Sequence, residues 1–240
     1  MIQNKRVLGV TLARGGSQSI QKKNIVLLSG KPLIAYTILE ALASRYIDAY
    51  IVSTDDDEVA AVSRKYGARV PFRRPRELCI DRATSASALI HALEWMEDED
   101  SNRYDIVIEL MCTNPMKSSQ DIDAVLKKLV ETDADSVVSV MRLYDHHPAR
   151  IKKITNDRLV DFCLKEKPEN RRQDLRPPAY IRNGAIYAVK RDVLLRTQAR
   201  YGTENSRPYV MDENHSVNID SAFDLRVAEQ LLKDSSGLGD

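Results

Sequence analysis

The chain has 240 residues, 43% hydrophobic and 30% charged, which is material for the core of one large domain and too apolar for disorder along its length. Its formal net charge of +1 rules out a general attraction to nucleic acid or to an anionic membrane, so any anion site has to come from local clustering. Three widely spaced cysteines, Cys79, Cys112 and Cys163, with no CxxC pair, argue against a disulfide framework or structural zinc; no apolar leader and no membrane-length run is present, and a cytoplasmic protein is expected.

In chain order, Arg6–Leu12 predicts a buried strand that breaks into Arg14-Gly15-Gly16-Ser17 and then Lys22, Lys23 and Asn24. Adjacent glycines let backbone N–H groups turn toward an anion, and Arg14, Lys22 and Lys23 can neutralise a polyphosphate; the competing reading is an ordinary turn. Neither GxGxxG nor GxxxxGK[ST] is present, so a nucleotide bound here belongs to another class. Then follow a helix over Pro32–Arg45, a strand over Ala49–Thr54, and a helix over Asp56–Tyr66 that Asp55 or Asp56 can cap and Gly67 stops. Arg73-Arg74-Pro75 precedes a helix that opens at Thr84-Ser85 and runs through His91 and Trp95; Asp105–Met111, Ser119–Glu131 and Ser136–Met141 read as strand, helix and strand. Strands such as VLGVTL and IVIEL are apolar almost throughout, as expected of a mostly parallel sheet covered by helices on both faces.

The βα rhythm stops between Tyr144 and Arg182, where charge and proline are frequent but apolar alternation persists. A hairpin turning at Asn156-Asp157 and packing on a second copy of the chain explains both features. Ser221 with Asp224 forms a capping-box pattern for a last helix, and the tail after Lys233 is expected to be disordered.

Ligands of open α/β sheets sit beyond the carboxyl ends of the strands. That rule gathers the Arg14 loop, the turn after Ser53-Thr54-Asp55, the Cys112–Lys117 turn, Asn183–Tyr187 and Asn218–Asp220. The Thr84 and Ser85 hydroxyls are a seat for a phosphate or ribose oxygen, or simply a helix cap. Asn218 and Asp220, read as ending a short strand on one face, suit Mg²⁺, or Asp220 is an N-cap. Asn183-Gly184-Ala185-Ile186-Tyr187 either orients a sugar or is a turn entering a strand. His146-His147 lacks a third metal ligand, and His91 reads as a packed side chain.

In this order, Leu12-Ala-Arg-Gly-Gly-Ser17, Lys23-Asn24, Arg74-Pro75-x-Glu77-Leu78, Asp81, Ser85, Thr113-x-Pro115, Asn183-Gly-Ala-Ile-Tyr187 and Ile219-Asp220 resemble the acylneuraminate cytidylyltransferases, over about residues 6 to 232. The resemblance implies an α/β, Rossmann-like nucleotidyltransferase fold, a three-layer α/β/α arrangement with a mostly parallel sheet. It implies a single domain over 1–233, with a protruding dimerisation excursion at 144–182 ahead of a tail at 234–240, and a homodimer with no nucleic-acid or membrane partner. Its substrates would be CTP and an acidic nine-carbon sugar such as N-acetylneuraminate or legionaminate, with Mg²⁺ as cofactor.

Carried over by that resemblance, Ala13, Arg14, Gly15, Ser17, Lys23, Asn24, Arg74 and Ser85 would hold the nucleotide, with Arg14, Lys23 and Asp220 catalytic and Asp220 and Asn218 on the metal. Thr113, Arg172, Arg182, Asn183 and Tyr187 would meet the sugar. The chain departs from the family pattern at Gln18-Ser19 in place of Lys-Gly, at Gln21, at Asn218 in place of an aspartate, and at Met111-Cys112-Thr113-Asn114-Pro115-Met116-Lys117 where many members read Gln-Pro-Thr-Ser-Pro-Leu-Arg. Another nucleotide or sugar, as in a guanylyltransferase or a 3-deoxy-manno-octulosonate cytidylyltransferase, and a non-catalytic sensing dimer, are the alternatives.

Overall fold

A computed structural model describes residues 1–16, 20–167 and 171–235; Ser17 and the tail from residue 236 lie outside the described residues. In chain order the elements are β1 (Val7–Leu12), β2 (Leu27–Leu28), β3 (Lys31–Pro32), α1 (Leu33–Ala43), β4 (Ala49–Ser53), α2 (Asp57–Lys65), α3 (Ser85–Asp100) and β5 (Ile106–Leu110). They continue with α4 (Ser119–Glu131), β6 (Ser136–Leu143), β7 (Lys152–Thr155), β8 (Arg158–Asp161), β9 (Ala179–Lys190), α5 (Arg191–Thr197), β10 (Ser206–Val210) and α6 (Ala222–Ser235). The last helix includes Asp234 and Ser235, so it runs two residues past the boundary expected at Lys233.

Six strands form one sheet in the order β10-β6-β9-β5-β1-β4. β1 pairs in parallel with β4 and β5, and β10 pairs in parallel with β6, whereas β9 runs antiparallel to both β5 and β6. The alternate sides of β1 and β5 bury different residues, because side chains along a strand point to opposite faces. Val7, Ile106 and Ile108 pack with Ile34 and Ile38 of α1, Val59 of α2 and Val125 and Leu129 of α4. Leu8, Val10 and Val107 pack with Leu89, Leu93 and Met96 of α3 and with Val193 and Leu194 of α5. That gives the three layers, and each fully buried aliphatic side chain contributes about 1.5–3 kcal/mol.

The helix starts follow the side-chain chemistry of their first residues. Asp56 accepts from the N–H groups of Glu58 and Val59 at the head of α2, and Thr84 accepts from Ser87 N–H at the head of α3. Ser118 and Asp121 satisfy each other's backbone N–H in a full capping box on α4. At α6, Asp224 accepts from Ser221 N–H at 2.7 Å and Ser221 Oγ accepts from Asp224 N–H at 3.3 Å. Gly67, at φ +96°, follows the end of α2, a conformation that favours glycine.

β7 and β8 form a separate two-stranded sheet joined through Asn156 and Asp157, both at positive φ (50° and 57°), as a two-residue type I′ connection requires. Its residues are exposed along most of both strands. The span expected to protrude is shorter than 144–182 at its end, because Ala179–Arg182 already pair with Val140–Leu143 of β6 in the main sheet. Two expectations change with the tertiary structure. Asn183–Tyr187 lies inside β9 rather than in a turn; the β6–β9 register shifts there between Val138 and Val140, and Gly184 takes φ +65°. Asn218–Asp220 is irregular backbone rather than the end of a strand, tied by Ile219 N–H to the Thr113 carbonyl at 2.7 Å.

Candidate active site

The carboxyl ends of β1, β4 and β5 open onto one edge of the sheet, and the chain crosses that edge in several loops. Asn24 is the tie between two of them: its Nδ2 donates to the Arg14 carbonyl at 2.8 Å, and its Oδ1 accepts from Cys112 Sγ at 3.0 Å. The loop after β1 is therefore fixed to the turn after β5. A third loop joins through Asp55, whose Oδ1 accepts from Gly15 N–H at 2.9 Å. A Cβ on residue 15 would come within 2.7 Å of Asp56 Oδ2 and 2.9 Å of Asp56 Cβ, so glycine here permits the close approach to the head of α2. This differs from the expectation that the Gly15 amide faces an anion, since a carboxylate already accepts from it. Ala13 is fully buried and donates its N–H to the Ser53 carbonyl at 3.0 Å, so it offers its backbone alone.

Four cations stand at this edge in different settings. Arg14 Nη1 meets Asp81 Oδ1 at 2.8 Å and the Cys79 carbonyl at 3.3 Å, with both charged side chains substantially exposed. Lys23 Nζ meets Asp220 Oδ1 at 2.9 Å and the Ile219 carbonyl at 3.1 Å. Lys22 pairs with Glu58 at 2.5 Å outside them. Arg74 is buried and donates to Ser53 through Nε to Oγ at 3.0 Å and through Nη2 to the carbonyl. Burial works against its charge, and Cys79, Asp55 and Glu109 oppose that effect. Arg73, Arg74, Pro75, Arg76 and Asp55 line a cleft of about 540 Å³ beside it. Ser85 is the first residue of α3, partly exposed.

Asn218 and Asp220 meet directly, the Asn218 amide donating to Asp220 Oδ2 at 2.5 Å. Asn218 Oδ1 is buried without a hydrogen-bond partner among the described residues, and the same holds for Thr113 Oγ1 and both side-chain polar atoms of Asn114. Leaving such an atom unpaired costs about 1–3 kcal/mol.

The residues expected at the sugar divide. Tyr187 and Arg182 lie in one stack, with the Tyr187 and Tyr201 ring centroids 5.7 Å apart and Arg182 4.5 Å over Tyr201. Burial raises the Tyr187 phenol pKa, while Arg200 and Arg182 oppose the rise. Asn183 is buried with its amide spent internally: Oδ1 accepts from Ser139 Oγ at 2.6 Å and Nδ2 donates to Ser216 Oγ at 2.9 Å, so it shapes β9 rather than presenting a free amide. Arg172 pairs with Asp145 at 3.3 Å and lies 4.7 Å over the Tyr144 ring. His91 packs edge-on against Phe72, with ring centroids 4.7 Å apart, and His147 accepts from Ala149 N–H at Nδ1, both in structural settings.

Three contacts that shape this edge were not visible as motifs: the Asp55 anchor, the Glu109–Arg200 pair, and those of Lys117. A charged residue inside an apolar strand, IVIEL, was the available signal for the second. Lys117 is fully buried and its Nζ lies 2.6 Å from Thr37 Oγ1, 2.8 Å from the Met111 carbonyl and 2.6 Å from the Asn114 carbonyl. It holds in shape the turn that carries Thr113 and Asn114. Burial pushes its pKa down to about 7, against the pull of Cys112, Glu40 and Asp121.

A family model described as Cytidylyltransferase matches residues 8–233. Post-translational flagellin modification protein B of Campylobacter coli is 30% identical over 236 residues, covering 96% of each chain. CMP-N,N'-diacetyllegionaminic acid synthase of Campylobacter jejuni is 33% identical over 226 residues, covering 94% of each. Among solved structures, CMP:2-keto-3-deoxy-manno-octonic acid synthetase complexed with CTP is similar at a TM-score of 0.72 and 18% identity, over 96% of this chain and 100% of that one, a likeness of fold.

Lys117 makes a pH-dependent prediction. Between about pH 7 and 10.5 the folded lysine is discharged while the unfolded one keeps its proton, so the unfolded state binds more protons and stability rises with pH. Denaturant unfolding of the native chain and of Lys117→Met at a series of pH values should show their stability difference shifting in favour of the native chain over that interval; a flat difference would refute this.

Proposed function

The chain belongs to the cytidylyltransferase family, and from that premise we propose that it transfers a cytidylyl group from CTP to the anomeric hydroxyl of an acidic nine-carbon sugar of the nonulosonic class. The observation that carries the reading is the meeting of Arg14, Lys23, Asn24 and Asp220 at the edge that β1 and β5 open onto, in a chain similar over nearly its whole length to a CMP-diacetyllegionaminic acid synthase. The anomeric hydroxyl oxygen attacks the α-phosphorus in line and forms the new P–O bond as its proton passes to solvent, the P–O bond to the β-phosphate breaks, and pyrophosphate leaves with that bond's electron pair. Arg14 and Lys23 take up charge on the phosphates, and Arg74 and Ser85 border the nucleotide. The exposed Arg14–Asp81 pair is weak in water, so exchanging Asp81 for a phosphate costs Arg14 little. The bound geometry then supplies the rate through alignment and electrostatic stabilisation.

Asp220 supplies a carboxylate of the kind a hard divalent cation takes beside phosphate and water; in this structure its Oδ1 is paired with Lys23 and its Oδ2 with the Asn218 amide, so the ion would displace the Lys23 ammonium and the Asn218 amide would turn to bring Oδ1 toward it. These two residues would hold Mg²⁺, whose charge when bound offsets that of the triphosphate. Arg182 and Tyr187 supply a cation and a phenol to the sugar side, a guanidinium being suited to a carboxylate.

We also propose a homodimer assembled on the β7–β8 hairpin. Ile154, Leu159 and Phe162 there are 78%, 72% and 62% exposed, an apolar group that a second copy would cover.

Pyrophosphate release, followed with CTP, Mg²⁺ and N-acetylneuraminate, N,N'-diacetyllegionaminate or 3-deoxy-manno-octulosonate in turn, should occur with a nine-carbon acid; no release with any would sink the assignment. Arg14→Ala should lower kcat/KM by roughly 10²–10³-fold while the chain stays folded. Chelating the divalent ion should stop release, with activity returning on adding excess Mg²⁺; undiminished turnover in chelator would remove the ion from the reading. Light scattering of Ile154→Asp combined with Leu159→Asp should report a monomer at micromolar concentration where the native chain is a dimer.

A further inference from the structure

β5 is covered by helices on both sides, yet it contains a glutamate, and a buried carboxylate has to be answered by a cation. Glu109 is 2% exposed and pairs with Arg200, itself 17% exposed. Arg74 is a second cation that the Glu109 carboxylate feels, and burial raises the glutamate's pKa against both. On its other side Arg200 lies over the Tyr187 ring, 4.1 Å from the centroid. Tyr187 sits opposite Glu109 in the β5–β9 register, so both ends of this contact are built on the sheet. From Tyr187 the contacts continue to Tyr201 and on to Arg182, whose guanidinium also donates to the Tyr201 hydroxyl.

We infer that Arg200 is a positioning residue for the acidic sugar: clamped by Glu109, it backs the Tyr187 ring and, through Tyr201, sets where the Arg182 guanidinium stands. This rests on the cytidylyl-transfer reading given above. Arg200 does not itself leave its place to meet a ligand, because doing so would strand a buried carboxylate. Its flat guanidinium serves two partners at once, an in-plane carboxylate and a ring face, which the compact ammonium of lysine does not reproduce. The stack therefore gives acceptor binding a dependence on a residue that need not touch the acceptor.

The test uses the full chain in the pyrophosphate-release assay with CTP and whichever nine-carbon acid it accepts, together with thermal unfolding. Arg200→Met should raise the KM for the sugar by about tenfold or more, leave the KM for CTP within about twofold, and lower the thermal midpoint, because Glu109 loses its counter-charge. Arg200→Lys should recover the midpoint, since charge is restored, while the sugar KM stays raised. Should Arg200→Met fail to fold, Glu109→Gln combined with Arg200→Met removes the stranded charge and should fold with the raised sugar KM. A native sugar KM in Arg200→Lys or in the double variant, or a CTP KM rising in step, would overturn the inference. Failure of the native chain to release pyrophosphate is a separate outcome, which overturns the functional reading and this inference with it.

Discussion

Arg14 meets Asp81 and Lys23 meets Asp220 at the rim of the sheet, whereas Arg200 meets Glu109 inside it. A chain of net charge +1 that gathers cations at one edge has to neutralise them when no ligand is there, and it does so with carboxylates from different loops. The depth of the carboxylate decides the use of each pair: Asp81 and Asp220 are exposed, whereas Glu109 is buried. A pair exposed on both sides, as Arg14 and Asp81 are, is worth about 0–1 kcal/mol, so its cation is available to an incoming phosphate. Buried pairs are costly to separate, so they hold backbone and rings in place.

The loops stay in register because of polar contacts between residues far apart in the chain. Asn24 joins the β1 loop to the β5 turn, and Asp55 joins that loop to the end of β4. Lys117 holds the β5 turn to α1 through Thr37 and to its own carbonyls. These contacts bring together catalytic candidates that are about two hundred residues apart, as with Lys23 and Asp220. β9 contributes differently: running against its neighbours and shifting register at Ser139, it carries Tyr187 and Arg182 on the same strand, with Asn183 spent on holding the shift. Beyond the sheet, the β7–β8 hairpin exposes apolar side chains that a single copy leaves in water, which is the physical basis for expecting a partner.

Much of this was legible in the chain itself. The apolar runs at β1 and β5, the acidic and hydroxyl caps of α2, α3 and α6, and the Asn156-Asp157 turn are local features, set by side-chain size, capping chemistry and backbone preference within a few residues. The Arg14 loop and Asp220 could be singled out because their residue types suit phosphate and a divalent cation. The site was less legible where a residue's role depends on what lies across from it. Asn183 reads as a free amide until Ser139 and Ser216 are found on both sides of it.

The amino-acid order alone therefore determined the alternation of strands and helices, the layered class of the fold, the hairpin turn and the candidate phosphate loop, because these follow from short-range patterning. Only the tertiary structure decided that β9 is antiparallel and enters the sheet between β5 and β6, that Gly15 N–H faces Asp55, and that Glu109 and Arg200 are partners. The reason is that a buried charge or a donated hydrogen bond takes its meaning from the group opposite, and residues tens of positions apart along the chain become opposite each other only when the sheet closes the distance.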